Sequence, residues 1–285
     1  MPELDLTLLF WLVVLLLILY PQLRHRMVQG ARLSLIRRIE EKTGSRVIAM
    51  IHRQERVSFL GIPFYRYIDI EDSEQVLRAI RLTPPNLPIT LILHTPGGLV
   101  LAAAQIAMAL RDHPAKKVVV VPHYAMSGGT LVALAADEIW MDPHAVLGPI
   151  DPQLADARGG SVPAVSVLRA VEQKGRERAS DAMLVRADIA EKAIKQMKEF
   201  IIELTAQKYG QERAERLAEE LVSGKYTHDY PITASKLREL GVEVRVGIPP
   251  EVYQLMDLYP QPAQARPSVE YIPAPYLPPR GRRER

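Results

Sequence analysis

The chain has 285 residues, of which 48% are hydrophobic and 24% are charged, and its formal net charge is +3. This balance is typical of a globular protein with one added apolar segment, and so small a positive charge does not favour nucleic-acid binding. The chain contains no cysteine, which excludes disulfides, thiolate catalysis and cysteine-ligated metals.

The first predicted element is an apolar run near the N-terminus. The residues from Leu6 to Tyr20 carry no charge, and with its apolar flanks the run reaches about 20 residues, the usual length of a membrane-spanning helix. Acidic residues precede it and no small-residue cleavage site follows, which favours an uncleaved anchor over a signal peptide. Because the basic flank at 24–26 follows the run, the positive-inside rule predicts a cytoplasmic main domain. We therefore expect a single-pass protein of the cell membrane, with its transmembrane anchor at 1–23 and a basic juxtamembrane helix at 24–45.

Strand and helix patterns then alternate along the chain. Short runs rich in β-branched residues predict strands, and apolar residues at helical spacing predict the helices between them. This alternation indicates an α/β fold with a mainly parallel sheet. The predicted elements are a strand at 46–52, a helix from 72, a strand at 89–93, a helix at 99–112, a strand at 118–121, a helix ending near 136, a strand at 138–141, a long helix at 188–208, a further helix to 222 and a strand at 241–244.

Two glycine-rich turns are the most informative motifs. Thr95–Gly98 (TPGG) follows one buried strand pattern, and Met126–Gly129 (MSGG) follows the next. Each turn stands where a helix begins, so free backbone N–H groups are expected to point outward there. A serine before a helix can be a simple N-cap, and glycines after a proline are common in ordinary turns. A hydroxyl nucleophile with two sets of backbone donors is nevertheless the minimal equipment for acyl transfer.

The order of these motifs resembles that of the Clp-protease/crotonase superfamily. The nearest branches are the membrane-anchored serine dehydrogenase proteinase family and the signal peptide peptidase A-like enzymes. Further matches are Asp137–Ile139, the turn Gly148–Ile150, and the stretch Leu221–Thr233, whose THDYPI sequence is similar to the serine dehydrogenase proteinase branch. The resemblance covers roughly residues 46 to 247.

The resemblance implies a fold and a domain organisation. The expected fold is α/β, a Clp-protease/crotonase-like ββα superhelix with an N-terminal transmembrane helix. The expected catalytic domain is 46–248. The remaining residues, 249–285, are rich in proline and arginine, and such a composition is typical of a disordered or extended tail.

The resemblance also implies an acyl-transfer site. Ser127 would be the nucleophile, and the backbone N–H groups of Gly98 and Gly128 would form the oxyanion hole. His228 would be the base of a Ser-Asp-His triad, although a histidine in this turn can also be a surface or capping residue. Asp151, in the turn at 148–152, would orient the histidine.

Two of these assignments have alternatives. Asp188 could replace Asp151 as the acid. A lysine could replace His228 as the base, as in the signal peptide peptidase A-like branch, and Lys192 is the first candidate by sequence order, before Lys195 and Lys174. A lysine base has to be desolvated, whereas lysine on an amphipathic helix usually faces water, and Asp188 four residues before Lys192 is a common surface pair.

The function that these patterns predict is that of a serine peptidase anchored in a membrane. Its substrates would be membrane-proximal or unfolded polypeptides. It would associate with the membrane and not with nucleic acid, and the resemblance implies that it also forms a homo-oligomer. No cofactor or metal is expected, since no metal-ligand spacing occurs, and no nucleotide-binding loop accompanies the site. An acyl-CoA enzyme of the crotonase type would normally place carboxylates rather than Ser127 at the reacting centre. A catalytically silent membrane scaffold of the same fold is the remaining alternative.

Overall fold

The computed structural model describes residues 6–52, 57–59, 62–64, 67–156 and 160–259. Its helices are α1 (Leu6–Thr43), α2 (Ile70–Arg81), α3 (Val100–Asp112), α4 (Gly128–Leu134), α5 (Ala164–Lys174), α6 (Asp181–Tyr209), α7 (Gln211–Val222), α8 (Ala234–Glu239) and α9 (Pro250–Asp257), with a short 3-10 turn at Arg176–Arg178. Its strands are β1 (Arg46–Ile51), β2 (Val57–Phe59), β3 (Ile62–Phe64), β4 (Ile89–His94), β5 (Lys117–Val121), β6 (Tyr124–Ala125), β7 (Glu138–Met141), β8 (Val146–Leu147), β9 (Gln153–Ala155), β10 (Ser161–Pro163), β11 (Ile232–Thr233) and β12 (Val244–Val246).

A parallel sheet of five strands forms the centre of the molecule, in the order β1-β4-β5-β7-β12. All its neighbouring pairs are parallel, and Leu91 of β4 lies opposite Ile48 on one side and Val119 on the other. Every residue of β4 is buried, as expected for a parallel strand that is covered on both faces. The mainly parallel α/β sheet predicted from the alternating pattern is therefore present.

Alternate side chains of the strands enter two different cores. On one face, the apolar residues of β1, β4, β5 and β7 pack against helices α2, α3, α4, α6 and α7. On the other face, Ile92 and Val120 pack against Leu35 and Ile39 of α1 and against Val252 of α9. Since the end of α1 and all of α9 cover this second face, they belong to the folded domain. The expected domain limits at 46 and 248 are thus too narrow.

A smaller sheet lies beside the carboxyl ends of the central strands. Its order is β11-β8-β6, with β6 and β8 parallel and β11 antiparallel to β8. Two isolated parallel bridges extend the same layer, one between Thr95 and Ala125 and one between Ile68 and Gly98. Both glycine-rich turns therefore lie in this second layer, next to each other.

The first helix is longer than the sequence suggested. Residues 6–43 form one continuous helix in which Pro21 is accommodated, so the boundary between an anchor and a separate juxtamembrane helix at 23–24 is not a break in the backbone. Among the residues described with their side chains, none of the helices combines enough length with enough apolar character to cross a membrane. The predicted anchor falls partly outside that description, because residues 1–5 and the side chains of 6–9, 12–13 and 18 are not included.

The end of the described chain also differs from expectation. Residues 250–257 form helix α9 instead of an extended tail, because Pro250 starts the helix and Val252 and Leu255 are fully buried against α1. Arg32 of α1 fastens the helix by donating two hydrogen bonds, of 3.0 and 2.7 Å, to the carbonyl oxygen of Leu258. The rest of the predicted tail, 260–285, lies outside the described residues.

Candidate active site

Ser127 occupies a strained turn between β6 and α4. Its backbone dihedral angles are φ 51° and ψ −115°, and no other described residue except glycine has a positive φ. Such a conformation crowds the Cβ atom and persists only where the surrounding structure enforces it. Although Ser127 is the N-cap residue of α4, its side chain makes no capping hydrogen bond. The hydroxyl is therefore not engaged as an ordinary N-cap serine would be.

The neighbouring turn after β4 packs directly against Ser127. A Cβ atom added to Gly97 would lie 2.9 Å from Cβ of Ser127 and 3.0 Å from the carbonyl oxygen of Met126. One added to Gly98 would lie 2.2 Å from the carbonyl oxygen of Ile68. These distances are too short for any side chain, so the two turns meet through their backbones and glycine is required at both positions.

Two backbone N–H groups lie close to each other at this contact. A Cβ atom added to Gly128 would lie only 3.8 Å from the backbone nitrogen of Gly98. Gly128 is the first residue of α4, so its N–H has no acceptor within the helix. Within the described part of the chain, neither N–H donates to a backbone carbonyl of another turn or loop. Both donors are thus available to an external oxygen.

A buried hydroxyl connects the Ser127 turn with the turn that precedes Asp151. Thr130 Oγ1 lies 2.9 Å from the carbonyl oxygen of Ala125, 2.8 Å from that of Gly148, and accepts a hydrogen bond of 3.0 Å from the Gly148 N–H. Thr130 is fully buried. The helix that follows the serine therefore fixes the position of the 148–151 segment.

Asp151 and His228 are brought together from distant parts of the chain. The Ile150 N–H donates to the carbonyl oxygen of Leu221 at 2.8 Å, and β11 pairs with β8, so both ends of the loop carrying His228 are held against residues 146–150. His228 Nδ1 lies 2.7 Å from Asp151 Oδ1. The carboxylate side chain is 1% exposed and the imidazole 35% exposed.

Gln153 completes this pair and was not singled out in the sequence. Its amide nitrogen lies 2.6 Å from Asp151 Oδ2 and 3.2 Å from His228 Nδ1. Because a carboxylate only accepts, the short contact to Asp151 assigns the proton to Nδ1 of the histidine. The amide nitrogen of Gln153 then donates to the other carboxylate oxygen, and Nε2 of His228 retains its lone pair.

One cavity brings these groups together. It has a volume of about 440 Å³ and opens to solvent. Its wall includes Ser127, Gly98, Gly128, Asp151, Gln153 and His228, with apolar surface from Val100, Leu131, Ile150 and Met197. A hydroxyl, an oriented imidazole and two backbone donors thus share one open space, which is the arrangement that acyl transfer needs.

The lysine candidates lie elsewhere. Lys192 is exposed and forms an ion pair of 2.6 Å with Asp188, and Lys195 is exposed beside Glu199 at 3.9 Å. No lysine and no Asp188 is among the described residues that line the cavity, and Lys174 is also exposed. Lys192 and Lys195 on α6 and Lys174 on α5 all face solvent. The structure therefore does not bring the alternative base or the alternative acid to Ser127.

Desolvation does affect one other lysine. Burial lowers the pKa of Lys208, against the opposing influence of nearby carboxylates such as Asp137. Its ammonium group donates a hydrogen bond of 2.9 Å to the carbonyl oxygen of Ala136. This oxygen lies beyond the C-terminal end of α4, whereas Ser127 precedes the N-terminal end. Lys208 therefore stabilises the far end of that helix and does not contact the cavity.

Gln153 and Thr130 had only weak signals in the sequence. Gln153 follows Asp151 by two residues and Thr130 follows Ser127 by three, spacings that permit proximity but are shared by many other polar residues.

Within the described ranges, no group of three or more histidines and carboxylates is placed to hold a metal ion.

Comparison with known families and proteins extends these observations. A family model described as ClpP-like SDH-type serine proteinase matches residues 2–284. The chain is 58% identical over 267 residues to the uncharacterized protein MJ1495 of Methanocaldococcus jannaschii, covering 94% of this chain and 89% of the relative. It is 54% identical over 269 residues to the uncharacterized protein MJ0137 of the same organism, covering 94% of this chain and 92% of the relative.

Among solved structures, an alanine mutant of 1510-N, a membrane-bound stomatin-specific protease, is similar in fold. The superposition has a TM-score of 0.46 and 22% sequence identity, and it covers 66% of this chain and 79% of the other.

The strain at Ser127 has a measurable consequence. Glycine tolerates the observed dihedral angles, so Ser127→Gly should have a free energy of unfolding about 1 kcal/mol or more above that of Ser127→Ala. Urea denaturation of the two variants measures this difference. The matched pair is Ser73→Gly and Ser73→Ala, since Ser73 lies inside α2 with ordinary helical geometry. There glycine should be the less stable by about 1 kcal/mol. The same order at both positions would contradict a strained backbone at Ser127.

Proposed function

The chain belongs to the family of ClpP-like SDH-type serine proteinases, and on that basis we propose that it is a serine peptidase whose catalytic residues are Ser127, His228 and Asp151. The observation that carries this assignment is the 2.7 Å hydrogen bond between Asp151 and His228 beside the cavity that Ser127 lines. The buried carboxylate of Asp151 fixes the tautomer of His228, and the hydroxyl of Ser127 in the same cavity makes no capping hydrogen bond. In nucleophilic catalysis such a histidine serves as the base for such a hydroxyl.

The proposed first step is attack on a peptide bond. Ser127 Oγ adds to the carbonyl carbon while Nε2 of His228 takes the hydroxyl proton. Asp151 holds the Nδ1 proton and stabilises the imidazolium that forms. As the tetrahedral intermediate collapses, Nε2 returns the proton to the leaving amine, and an ester with Ser127 remains. Water, activated by the same imidazole, then hydrolyses this ester.

The proposed oxyanion hole consists of the N–H groups of Gly98 and Gly128. Negative charge develops on the carbonyl oxygen during attack, and two preorganised donors, one at the start of α4 and one in the turn after β4, would stabilise it more than they stabilise the neutral substrate. The positive end of the helix dipole acts in the same direction. The glycine contacts described above support this role, because they keep both donors free of side chains.

The cavity also supports a polypeptide substrate. Val100, Leu131 and Met197 provide an apolar wall beside the polar groups, and such a mixture suits an extended peptide with an apolar side chain near the cleaved bond. Unfolded or membrane-proximal segments are the proposed source of such peptides. Cleavage itself uses no nucleotide, since the proposed steps involve only the three side chains, two backbone donors and water.

We further infer a membrane anchor and self-association. The uncharged run from Leu6 to Tyr20 supports the anchor, as do Trp11 and Leu17, which are 62% and 69% exposed on α1. The catalytic domain would then lie at the cytoplasmic face. Exposed apolar side chains on α6, such as Val185 and Ile189, support a homo-oligomer.

The triad assignment predicts the pattern of labelling by a fluorophosphonate probe. Ser127→Ala should abolish labelling of the full-length protein, and His228→Ala and Asp151→Asn should slow it by about 10⁴-fold, because the three groups act as a unit. Lys192→Ala and the exposed control His144→Ala should label within about twofold of wild type, since neither contacts the cavity.

Other outcomes of this labelling experiment separate the alternatives. Loss of labelling in Lys192→Ala with retention in His228→Ala would contradict the triad and favour a serine–lysine dyad. A wild-type protein that neither reacts with the probe nor cleaves unfolded polypeptides would favour the silent scaffold.

The oxyanion assignment predicts that adding a single methyl group at Gly98 slows peptide hydrolysis. Gly98→Ala forces the turn away from Ile68, so hydrolysis of a peptide substrate should slow by about 10²- to 10³-fold, as when one oxyanion donor is removed. The control is Gly30→Ala on α1, where an added Cβ meets nothing within 4 Å. Wild-type turnover by a folded Gly98→Ala protein would contradict the role of this donor.

The anchor predicts the effect of charge within the apolar run. Replacing both Leu15 and Leu16 by arginine should release the protein from membranes washed at alkaline pH, since each arginine costs about 2.5–3.5 kcal/mol at the centre of a span. The control replaces Met27 and Leu33 by arginine; these residues are exposed on the same helix beyond the run. Retention of the first variant in washed membranes would argue against a span.

A further inference from the structure

A second chain of hydrogen-bonded polar residues lies behind the proposed oxyanion turn, and two of its three members, His52 and Thr95, are buried. His52 follows β1, Asp72 lies in the first turn of α2, and Thr95 follows β4. His52 Nε2 lies 3.1 Å from Asp72 Oδ2, and His52 Nδ1 lies 3.0 Å from Thr95 Oγ1. These three residues are separate from the Asp151–His228 pair, and none of them lines the cavity.

This arrangement of hydroxyl, imidazole and carboxylate is not a second active site. Thr95 is fully buried and His52 is 4% exposed, so no substrate can reach the hydroxyl. The hydroxyl is instead used within the protein. It accepts a hydrogen bond of 3.2 Å from the Gly97 N–H, and Gly97 directly precedes the proposed donor Gly98.

The proton positions along this chain can be assigned. The Asp72 carboxylate only accepts, so Nε2 of His52 carries the proton and donates to it. With Nε2 as the donor, Nδ1 is left to accept from the hydroxyl of Thr95, whose oxygen also lies 3.3 Å from the carbonyl oxygen of Gly97. The hydroxyl oxygen retains lone pairs and accepts from the Gly97 N–H. Every polar group in this series thus has a partner, which is what a buried network requires in order to be rigid.

Asp72 is itself held by the start of α2. It accepts from the Asp69 N–H at 3.0 Å while Asp69 Oδ1 accepts from the Asp72 N–H at 2.9 Å, forming a capping box. Burial alone would raise the pKa of Asp72, but hydrogen bonds from His52 and from the Asp69 backbone outweigh it and lower that pKa. The carboxylate therefore remains charged at neutral pH.

The same capping box places Ile68 against the glycine turn. The Ile68 N–H donates to the carbonyl oxygen of Gly97 at 2.7 Å, and the Leu99 N–H donates to the carbonyl oxygen of Ile68 at 2.8 Å. Gly97 is thus held on its N–H side by Thr95 and on its carbonyl side by Ile68. The Gly97 carbonyl belongs to the same peptide unit as the Gly98 N–H, and the Gly97 N–H to the unit before it, so these two hydrogen bonds together restrict rotation of the unit that carries the Gly98 N–H.

We propose that Asp72, His52 and Thr95 are positioning residues that aim the Gly98 N–H into the active-site cavity. They contact neither substrate nor Ser127, and they act through the Gly97 peptide unit. The proposal rests on the oxyanion role of Gly98 in the proposed function. Removing the network should weaken stabilisation of the transition state while binding of the peptide substrate is retained.

The sharpest test compares two threonines of the same strand region. Thr95→Val removes the hydroxyl but keeps the shape, and kcat should fall by about tenfold to a hundredfold with KM changed less than about twofold, because the donor is misaligned rather than deleted. Thr95→Ser restores the hydroxyl and should recover most of kcat. The control is Thr90→Val. Thr90 lies in β4 and is buried like Thr95, but its hydroxyl pairs with the hydroxyl of Ser45, 2.7 Å away.

A pair of histidine variants tests the next link. His52→Gln should lower kcat in the same way as Thr95→Val. His113→Gln is the control, because His113 is equally buried and binds the carbonyl oxygen of Leu87, outside the network. If Thr95→Val does not fold, Asp72→Asn replaces it with the same expected loss. Values of kcat for His52→Gln and Thr95→Val within about twofold of their controls would overturn the proposal.

A second readout keeps this test independent of the proposed function. Hydrogen exchange of the 94–101 segment, measured by mass spectrometry on the full chain, should be faster in Thr95→Val than in Thr90→Val, because the Gly97 N–H loses its acceptor. Equal exchange in the two variants would overturn the proposal. Faster exchange in Thr95→Val than in Thr90→Val, together with a wild-type protein that proves inactive, would support the positioning of the turn while the peptidase assignment fails.

Discussion

The structure depends on the direct contact between two glycine-rich turns at the carboxyl ends of β4 and β5. Parallel neighbouring strands bring their following turns to the same edge of the sheet, but a distance of a few ångströms between backbones is possible only without side chains. Gly97 permits this approach, because a Cβ atom there would lie 2.9 Å from Cβ of Ser127, and Gly98 beside it lies against the backbone of Ile68. Ser127, the residue with the strained backbone, lies at this contact, and the N–H groups of Gly98 and Gly128 lie beside it. The proposed nucleophile and the proposed oxyanion donors are therefore parts of the same packing.

The other two proposed catalytic residues, Asp151 and His228, come from later in the chain and are held by the smaller second sheet. Thr130 ties the helix after Ser127 to the turn before Asp151, and the pairing of β8 with β11 returns the loop that carries His228 to the same turn. One polar network thus lines the cavity, and a second lies behind the glycine turn that also lines it. One orients an imidazole through a carboxylate, and the other holds a peptide unit through Thr95. In each, a carboxylate fixes a histidine tautomer, since an imidazole with one hydrogen bond assigned has only one way to use its other nitrogen.

Much of the fold could be predicted because its determinants are local. Uninterrupted runs of apolar residues predicted the buried strands. An acidic start and apolar residues at helical spacing predicted a helix from residue 72, and the helix observed is α2, residues 70–81. The family resemblance is confirmed by the family model over nearly the whole chain. The tail was predicted less well: α9 is short and proline-flanked, and its stability comes from burying Val252 and Leu255 against α1. No local pattern reveals such a partner, because the packing surface lies more than 200 residues away in the chain.

The sequence by itself determined the alternating strands and helices, the two glycine turns and the position of a serine between a strand and a helix, since each follows from neighbouring residues. It left the base open between His228 and Lys192, because a histidine in a turn and a lysine on a helix have no local feature that tells a reacting group from a solvated one. Only the tertiary structure placed His228 on a buried carboxylate 77 residues earlier and left Lys192 in water beside Asp188. It also revealed His52 and Thr95 as partners, because hydrogen bonds between the ends of different strands depend on the register of the sheet and not on spacing along the chain.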